Sequence, residues 1–154
     1  MSTNFYWVPG PTDALSTFSK IYIGKWSGGW SFSFKGYRFS QDEPVSVDVG
    51  QGLTMLVDVV QLTLVATSWD EWKGYVSRSG TVEDEYERTL TFAEFVEVVE
   101  VDTAPTATFN GRPLLNHVTM LRTDPRYSGE AQFRDEQQYW LDNKGYSFSL
   151  GEFS

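Results

Sequence analysis

Ile21-Tyr22-Ile23-Gly24-Lys25-Trp26-Ser27-Gly28-Gly29-Trp30-Ser31-Phe32-Ser33-Phe34-Lys35 is the stretch on which the fold turns. In its second arm Trp30, Phe32 and Phe34 fall on one face and Ser31, Ser33 and Lys35 on the other. That period of two marks a half-buried strand. Between the arms, Gly28-Gly29 can take the positive φ angles that a tight hairpin turn demands. The pattern predicts an antiparallel hairpin over residues 20–37.

Outward from this hairpin, the first half of the chain reads as sheet. Asn4 to Val8 is a short aromatic strand, stopped by Pro9-Gly10-Pro11, which cannot continue a ladder. Val45 to Val49 alternates, Gly50-Gln51-Gly52 interrupts, and Leu53 to Ala66 is rich in Val, Leu and Thr. β-branched residues favour one or two strands there, although a buried helix has the same apolar content. Ser68-Trp69-Asp70-Glu71 reads as a capping box, with Trp69, Trp72 and Val76 on one helical face and Gly80 as the stop. Thr91-Phe92-Ala93-Glu94 repeats the device ahead of a stripe of Phe92, Phe95, Val96 and Val99. Thr81 to Tyr86, between these helices, reads as a short exposed strand or turn.

A loop follows over Asp102 to Asn110, and then a short helix over Arg112 to Leu121 with Pro113 at its first position. Asp124-Pro125 and Ser128-Gly129 mark turns. Gln137 to Leu141 and Tyr146 to Leu150 flank Asp142-Asn143-Lys144-Gly145, the signal of a second hairpin over 137–150. The expectation is a single compact α+β domain over 1–154. It is an antiparallel sheet with two hairpins, packed by two or three short helices.

Composition narrows the function. The 154 residues carry 12 Lys+Arg against 21 Asp+Glu, a net charge of −9. Long-range attraction to nucleic acid is excluded by that balance, since such binding depends on Lys and Arg neutralising phosphates. Solubility is the simplest reading of the charge. With 16% aromatics the chain can bury a proper core, which argues against disorder. No run approaches the roughly 20 apolar residues that span a bilayer, and Met1 to Tyr6 carries no secretory signal pattern. Cysteine is absent, which removes disulfides, thiolate catalysis and thiolate metal sites.

Catalytic signatures are scarce. No phosphate-cradling Gly-x-x-x-x-Gly-Lys run and no Gly-x-Gly-x-x-Gly turn occurs. His117 is the single histidine, so a His-based metal site needs carboxylates for its other ligands. A Ser-His-Asp triad through His117 lacks a supporting Gly-x-Ser-x-Gly element, and the residue reads as an ordinary helix position. Glu83, Asp84, Glu85 and Glu87 form the densest acidic group, but neighbours on a strand point to opposite faces and do not converge. A solvated acidic edge is the simpler reading. No catalytic residue, metal or cofactor is assigned.

The segment Lys20 to Arg38 carries Lys20, Lys25, Lys35 and Arg38 among Tyr22, Trp26, Trp30, Phe32, Phe34 and Tyr37, with hydroxyls at Ser27, Ser31 and Ser33. Aromatic faces stack a planar base, Lys and Arg meet phosphate, and unobstructed Gly28-Gly29 amides suit an anion. A plain sheet with one aromatic core face and one polar solvent face produces much the same pattern. If the segment binds a ligand, the nominated residues are Lys25, Trp26, Ser27 and Trp30. Asn4 and Tyr6 come from the neighbouring strand, and Arg38 serves phosphates.

Thr3-Asn4-Phe5-Tyr6, Ile23-Gly24-Lys25-x-Ser27-Gly28-Gly29-Trp30-x-Phe32, the Trp69/Trp72 helix, Asp84-Glu85-Tyr86 and Thr91-x-x-Glu94-Phe95 occur in this order. With the closing Gly145-Tyr146-Ser147-Phe148-Ser149 and Glu152-Phe153-Ser154, the chain resembles a family of small uncharacterised bacteriophage proteins. About half of the chain takes part in the resemblance. Many members carry a Cys-x-x-Cys element after the first strand and a His just before Ile-Gly-Lys. Here those regions are Pro9 to Ser19 without cysteine, and Tyr22, so a metal site in relatives is lost. The resemblance implies a phage origin and action in the cytoplasm of the infected bacterial host, and it supplies no catalytic residues.

Two functions remain open on this footing. One is a homo-oligomeric sponge that sequesters a small anionic nucleotide immune signal, a cyclic nucleotide or ADP-ribose derivative, without cleaving it. The other is an acidic protein-binding inhibitor, or nucleic-acid mimic, that blocks a host nucleic-acid enzyme through the acidic run over Glu83 to Glu100. Neither calls for a membrane or direct nucleic-acid contact.

Overall fold

In the computed structural model, residues 2–41, 45–50, 53–57, 62–123 and 139–150 are described. The fold is α+β, a mostly antiparallel sheet of hairpins with three short α-helices among the described residues. Strands β1 (Ser2–Val8), β2 (Ile21–Ser27) and β3 (Ser33–Lys35) form its middle. Next come β4 (Tyr37–Gln41), β5 (Val45–Gly50), β6 (Leu53–Val57) and β7 (Leu62–Ala66). Helix α1 (Trp69–Arg78) leads to β8 (Thr81–Asp84) and β9 (Thr89–Leu90), and α2 spans Phe92–Glu97. The small strands β10 (Thr108–Phe109) and β11 (Arg112–Pro113) precede α3 (His117–Thr123), and β12 (Tyr139–Leu141) and β13 (Ser147–Ser149) close the order.

Seven strands make the main sheet in the order β12-β13-β3-β2-β1-β8-β9. All its pairs are antiparallel except β13 on β3. Pairs β4–β7, β5–β6 and β10–β11 stand as two-stranded ribbons. Leu53 to Ala66 therefore contributes two strands, β6 and β7, rather than a helix.

The core gathers on one face of the sheet, where α1 and α2 pack. Phe5 and Trp7 of β1, two residues apart, both point there, as period two requires. Trp69, Trp72 and Val76 of α1 and Phe95 and Val99 after Thr91 complete the cluster. The Phe34 ring stacks on Phe148 at 4.9 Å and on Trp69 at 5.5 Å between centroids, and Phe32 lies 4.5 Å from Phe34. Such pairs add about 0.5–1.5 kcal/mol each beyond burial. The buried indole of Trp72 donates to the Lys35 carbonyl at 2.9 Å, so its polar edge is satisfied as well.

Helix boundaries follow their caps. At Thr91 the full capping box forms: its hydroxyl accepts from the Glu94 amide, and the Glu94 carboxylate accepts from the Thr91 amide. At Ser68 only half forms. The Ser68 hydroxyl accepts from the Glu71 amide, but Glu71 reaches one residue further, taking both the amide and the hydroxyl of Thr67. The helix stops before Gly80, whose φ of +77° suits glycine and where a Cβ would lie 1.8 Å from the Val8 carbonyl oxygen.

Three expectations are corrected. Thr81 to Asp84 is an inner strand between β1 and β9, with Val82 and Asp84 buried, so the acidic run is not one continuous exposed edge. Asp84 turns inward to accept from the Tyr86 and Arg88 amides and the Arg88 guanidinium. The loop over Asp102 to Asn110 is shorter than expected. Its first residue ends a wide helical turn, Val98–Asp102, and its last part belongs to β10. The helix placed at Arg112 begins instead at His117, because Asn116 supplies the cap by accepting from the Thr119 amide at 3.1 Å, while Pro113 sits in β11. The turns at Asp124-Pro125 and Ser128-Gly129, the first residues of the 137–150 hairpin and the terminal Glu152-Phe153-Ser154 lie outside the described residues. From Tyr139 onward that hairpin pairs as β12 with β13.

Candidate functional site

The β2–β3 hairpin turns at Gly28-Gly29, as expected, but its ladder stops short of that turn. Its ladder ends at the pair Lys25↔Ser33. Beyond it Ser27 to Trp30 makes a turn, with the Trp30 amide donating to the Ser27 carbonyl at 3.0 Å and a positive φ only at Gly29. That is the pattern of a type II turn. The chain then leaves β2. Trp30 bridges to Leu115, the Leu115 amide donates to Gly29, the Ser31 amide to Leu115, and the Phe32 amide to Thr103.

This splay opens a cavity of about 220 Å³ lined by Lys25, Ser27, Trp30, Ser33 and His117. Strand parity explains the first members. Lys25 and Ser27 are two apart and share a face, and Ser33 lies across the ladder from Lys25. His117 opens α3, whose start is fixed by Asn116, itself donating from Nδ2 to the Gly145 carbonyl at 2.8 Å. The Trp30 and His117 rings lie 6.1 Å apart between centroids.

The polar face beneath the cavity is not the solvent face that the sequence pattern suggests. Ser31, Ser33 and Lys35 are all buried, Lys35 being only 3% exposed. Ser33 accepts from the Ser147 hydroxyl at 3.3 Å, and the Lys35 ammonium donates to the Leu150 carbonyl while lying 5.1 Å from the Tyr37 ring centroid. Alternation does not distinguish a covered polar face from a solvated one: Ser33 and Lys35 find partners under cover, while the buried Ser31 hydroxyl has no hydrogen-bond partner among the described residues.

Of the nominated residues, Lys25, Ser27 and Trp30 come together at the cavity. Trp26 does not: one residue from Lys25, it faces the other way and packs against the core. Asn4 pairs across the ladder with Lys25 but engages Tyr22, accepting its hydroxyl at 2.7 Å. Tyr6 is buried against Tyr22, with the Lys20 ammonium 4.5 Å from its ring centroid. Arg38 is exposed and stacks on Trp140 at 4.4 Å. None of these four lines the cavity. Ser33 and His117 are the lining residues that sequence reasoning missed. Ser33 was visible as a cross-strand neighbour, whereas His117 arrives through tertiary packing that no local pattern announces.

Burial holds the Lys25 ammonium below its ordinary pKa. Burial, and then the Lys25 charge, push the His117 imidazole down as well. Among the described lining residues there is no carboxylate. Among the described residues no cluster of His, Asp and Glu has the makings of a metal site, and no helix is long and apolar enough to cross a membrane. No protein-family model, curated protein or solved structure matches the chain.

Proposed function

We propose that this chain is a bacteriophage-type capture protein whose Lys25–Trp30–His117 cavity binds a small anionic nucleotide without cleaving it, so as to withdraw an immune signal from the host. The observation that carries the reading is the convergence of two basic side chains, Lys25 and His117, and the Trp30 indole on one cavity that also bears the hydroxyls of Ser27 and Ser33. An anion between Lys25 and His117 relieves their mutual repulsion, and a base stacks on Trp30.

Size and energy limit what this cavity does alone. At about 220 Å³ it is below the roughly 300–1,000 Å³ typical of ligand pockets, so it accommodates one end of a nucleotide. One stacked base contributes about 1–3 kcal/mol. Two hydrogen bonds from charged groups contribute about 1.5–3 kcal/mol each. Sequestration at a dissociation constant of about 1–100 nM requires roughly 9.5–12 kcal/mol, which exceeds that total even before the cost of association. Further contacts from the surrounding surface, or from a second copy of the chain, complete the binding.

Calorimetric titration with ADP-ribose tests the reading on the wild type, Lys25→Met and Trp30→Ala. Each variant is expected to weaken binding by about tenfold or more, with the nucleotide recovered intact from the wild type. Equal affinity of Lys25→Met and the wild type refutes it.

A further inference from the structure

We propose that the β10–β11 hairpin forms the outer half of this site, with Phe109 and Arg112 holding the part of a nucleotide that extends beyond the cavity. This inference rests on the reading of the cavity as a nucleotide site. It makes the hairpin the element that prefers long, doubly phosphorylated ligands to mononucleotides.

The hairpin is built into the cavity wall. Leu115, two residues after β11, exchanges backbone hydrogen bonds with Gly29 and Ser31, and His117 of the cavity follows two residues later. The Leu114 amide donates to the Ala107 carbonyl, closing the base of the hairpin. Its turn, Asn110-Gly111, has positive φ at both residues, +53° and +76°, the conformation of a tight two-residue hairpin turn. The arm is therefore short and firmly rooted beside the cavity.

What it presents is unusual for a surface turn in an acidic protein. Phe109 is 48% exposed, and its ring tip comes within 3.8 Å of where a Cβ on Gly28 would stand. Gly28 itself is exposed and follows the cavity residue Ser27. Phe109 pairs with Arg112 across the ribbon, and directly opposed residues share a face, so the guanidinium lies on the same side as the ring. Arg78 and Arg88 are engaged by Asp13 and Asp84, whereas among the described residues Arg112 forms no ion pair. An exposed aromatic face and an uncommitted guanidinium, next to a glycine that leaves the approach open, are the groups that receive a second phosphate and a second ring or sugar.

AMP and ADP-ribose, titrated into the full chain and into Phe109→Ala, Arg112→Gln and Lys25→Met, separate the two claims. Both hairpin residues are exposed, and an unchanged thermal midpoint verifies folding in each variant. The expected result is a loss of at least tenfold in ADP-ribose affinity for Phe109→Ala and Arg112→Gln, with AMP affinity within twofold of the wild type. If Lys25→Met abolishes binding while neither hairpin variant changes it, the hairpin has no role and the cavity reading stands. Equal losses for both ligands also overturn the hairpin as the element of preference. A wild type that binds neither ligand removes the cavity reading and this inference together.

Discussion

Gly24→Ala probes whether the close pairing of β2 and β3 builds the cavity. A Cβ at this position would stand 2.1 Å from the Ser33 carbonyl oxygen, 2.8 Å from Cε1 of Phe32 and 3.0 Å from the Phe34 Cα. Ordinary contact begins at 3.4 Å, so the Ser33 carbonyl must retreat by about 1.3 Å. Two of the three atoms are backbone, and the third belongs to a ring locked in the core, so no flexible side chain absorbs the displacement. Overpacking of this kind costs about 1–3 kcal/mol. Separating the strands also weakens one or two ladder hydrogen bonds at about 1 kcal/mol each. The expected loss is about 2–5 kcal/mol, reaching the severe end for a single substitution. In a chain of this length that lowers the thermal midpoint by roughly 4–20 °C. Urea and thermal unfolding followed by tryptophan fluorescence read the change directly. Since Gly24 precedes Lys25 in the ladder, ADP-ribose binding should fall with stability even where the variant remains folded. A variant within about 1 kcal/mol of the wild type would show that the strands do not approach as described and that the cavity geometry built on them is wrong.

Phe32→Ala should cost about 3–5 kcal/mol in urea unfolding, since its ring is buried among Phe5, Phe34 and Phe95. Trp30→Ala, at the half-buried cavity wall, should cost less than half of that; equal costs would make Trp30 a core residue. His117 has a folded pKa below its ordinary 6.5, so the unfolded chain takes up its proton first and stability falls as pH drops below about 6.5 toward the folded value. His117→Gln should flatten that part of a melting profile between about pH 5 and 8. An anion in the cavity acts in the opposite sense, raising the imidazole pKa so that ADP-ribose affinity rises as pH falls. Burial pushes the Asp13 and Asp84 carboxyls up, but hydrogen bonds outweigh it: Arg78 and the Leu15 amide on Asp13, the Arg88 and Tyr86 amides on Asp84. Their contribution is full above about pH 3.8 and is lost as pH falls through the depressed folded values. Asp84→Asn should therefore unfold at a lower urea midpoint than the wild type at pH 5, with the difference shrinking toward pH 3.

Local signals carried much of the fold. Alternation in Ser31 to Lys35 marked β3 because a strand repeats every two residues whatever surrounds it, and the aromatic run Asn4 to Val8 before Pro9 marked β1. The hydroxyls of Ser68 and Thr91 marked α1 and α2 because the cap is a contact between near neighbours. What remained hidden was long-range. The parallel pairing of β13 on β3, which buries Ser33 and Lys35, joins residues more than a hundred positions apart. The start of α3 depended on Asn116, which competes with Pro113 as a helix signal and prevails because Arg112 and Pro113 are committed to β11. For the site, the same division applies. Lys25, Ser27 and Trp30 were legible as one aromatic and basic hairpin, while Trp26 was misplaced by parity and Arg38 by its stacking on Trp140. His117 looked like an ordinary helix residue, and only the Trp30–Leu115 bridge brings it to Lys25.

The most direct measurement is native mass spectrometry of the purified chain after incubation with a mixture of cyclic dinucleotides, AMP and ADP-ribose. Retention of one nucleotide at its unaltered mass, released intact on heating and absent from Lys25→Met, is the predicted result, and the same spectrum reports how many copies of the chain hold it. A protein that emerges bare, or one that returns a nucleotide of changed mass, would contradict capture without cleavage.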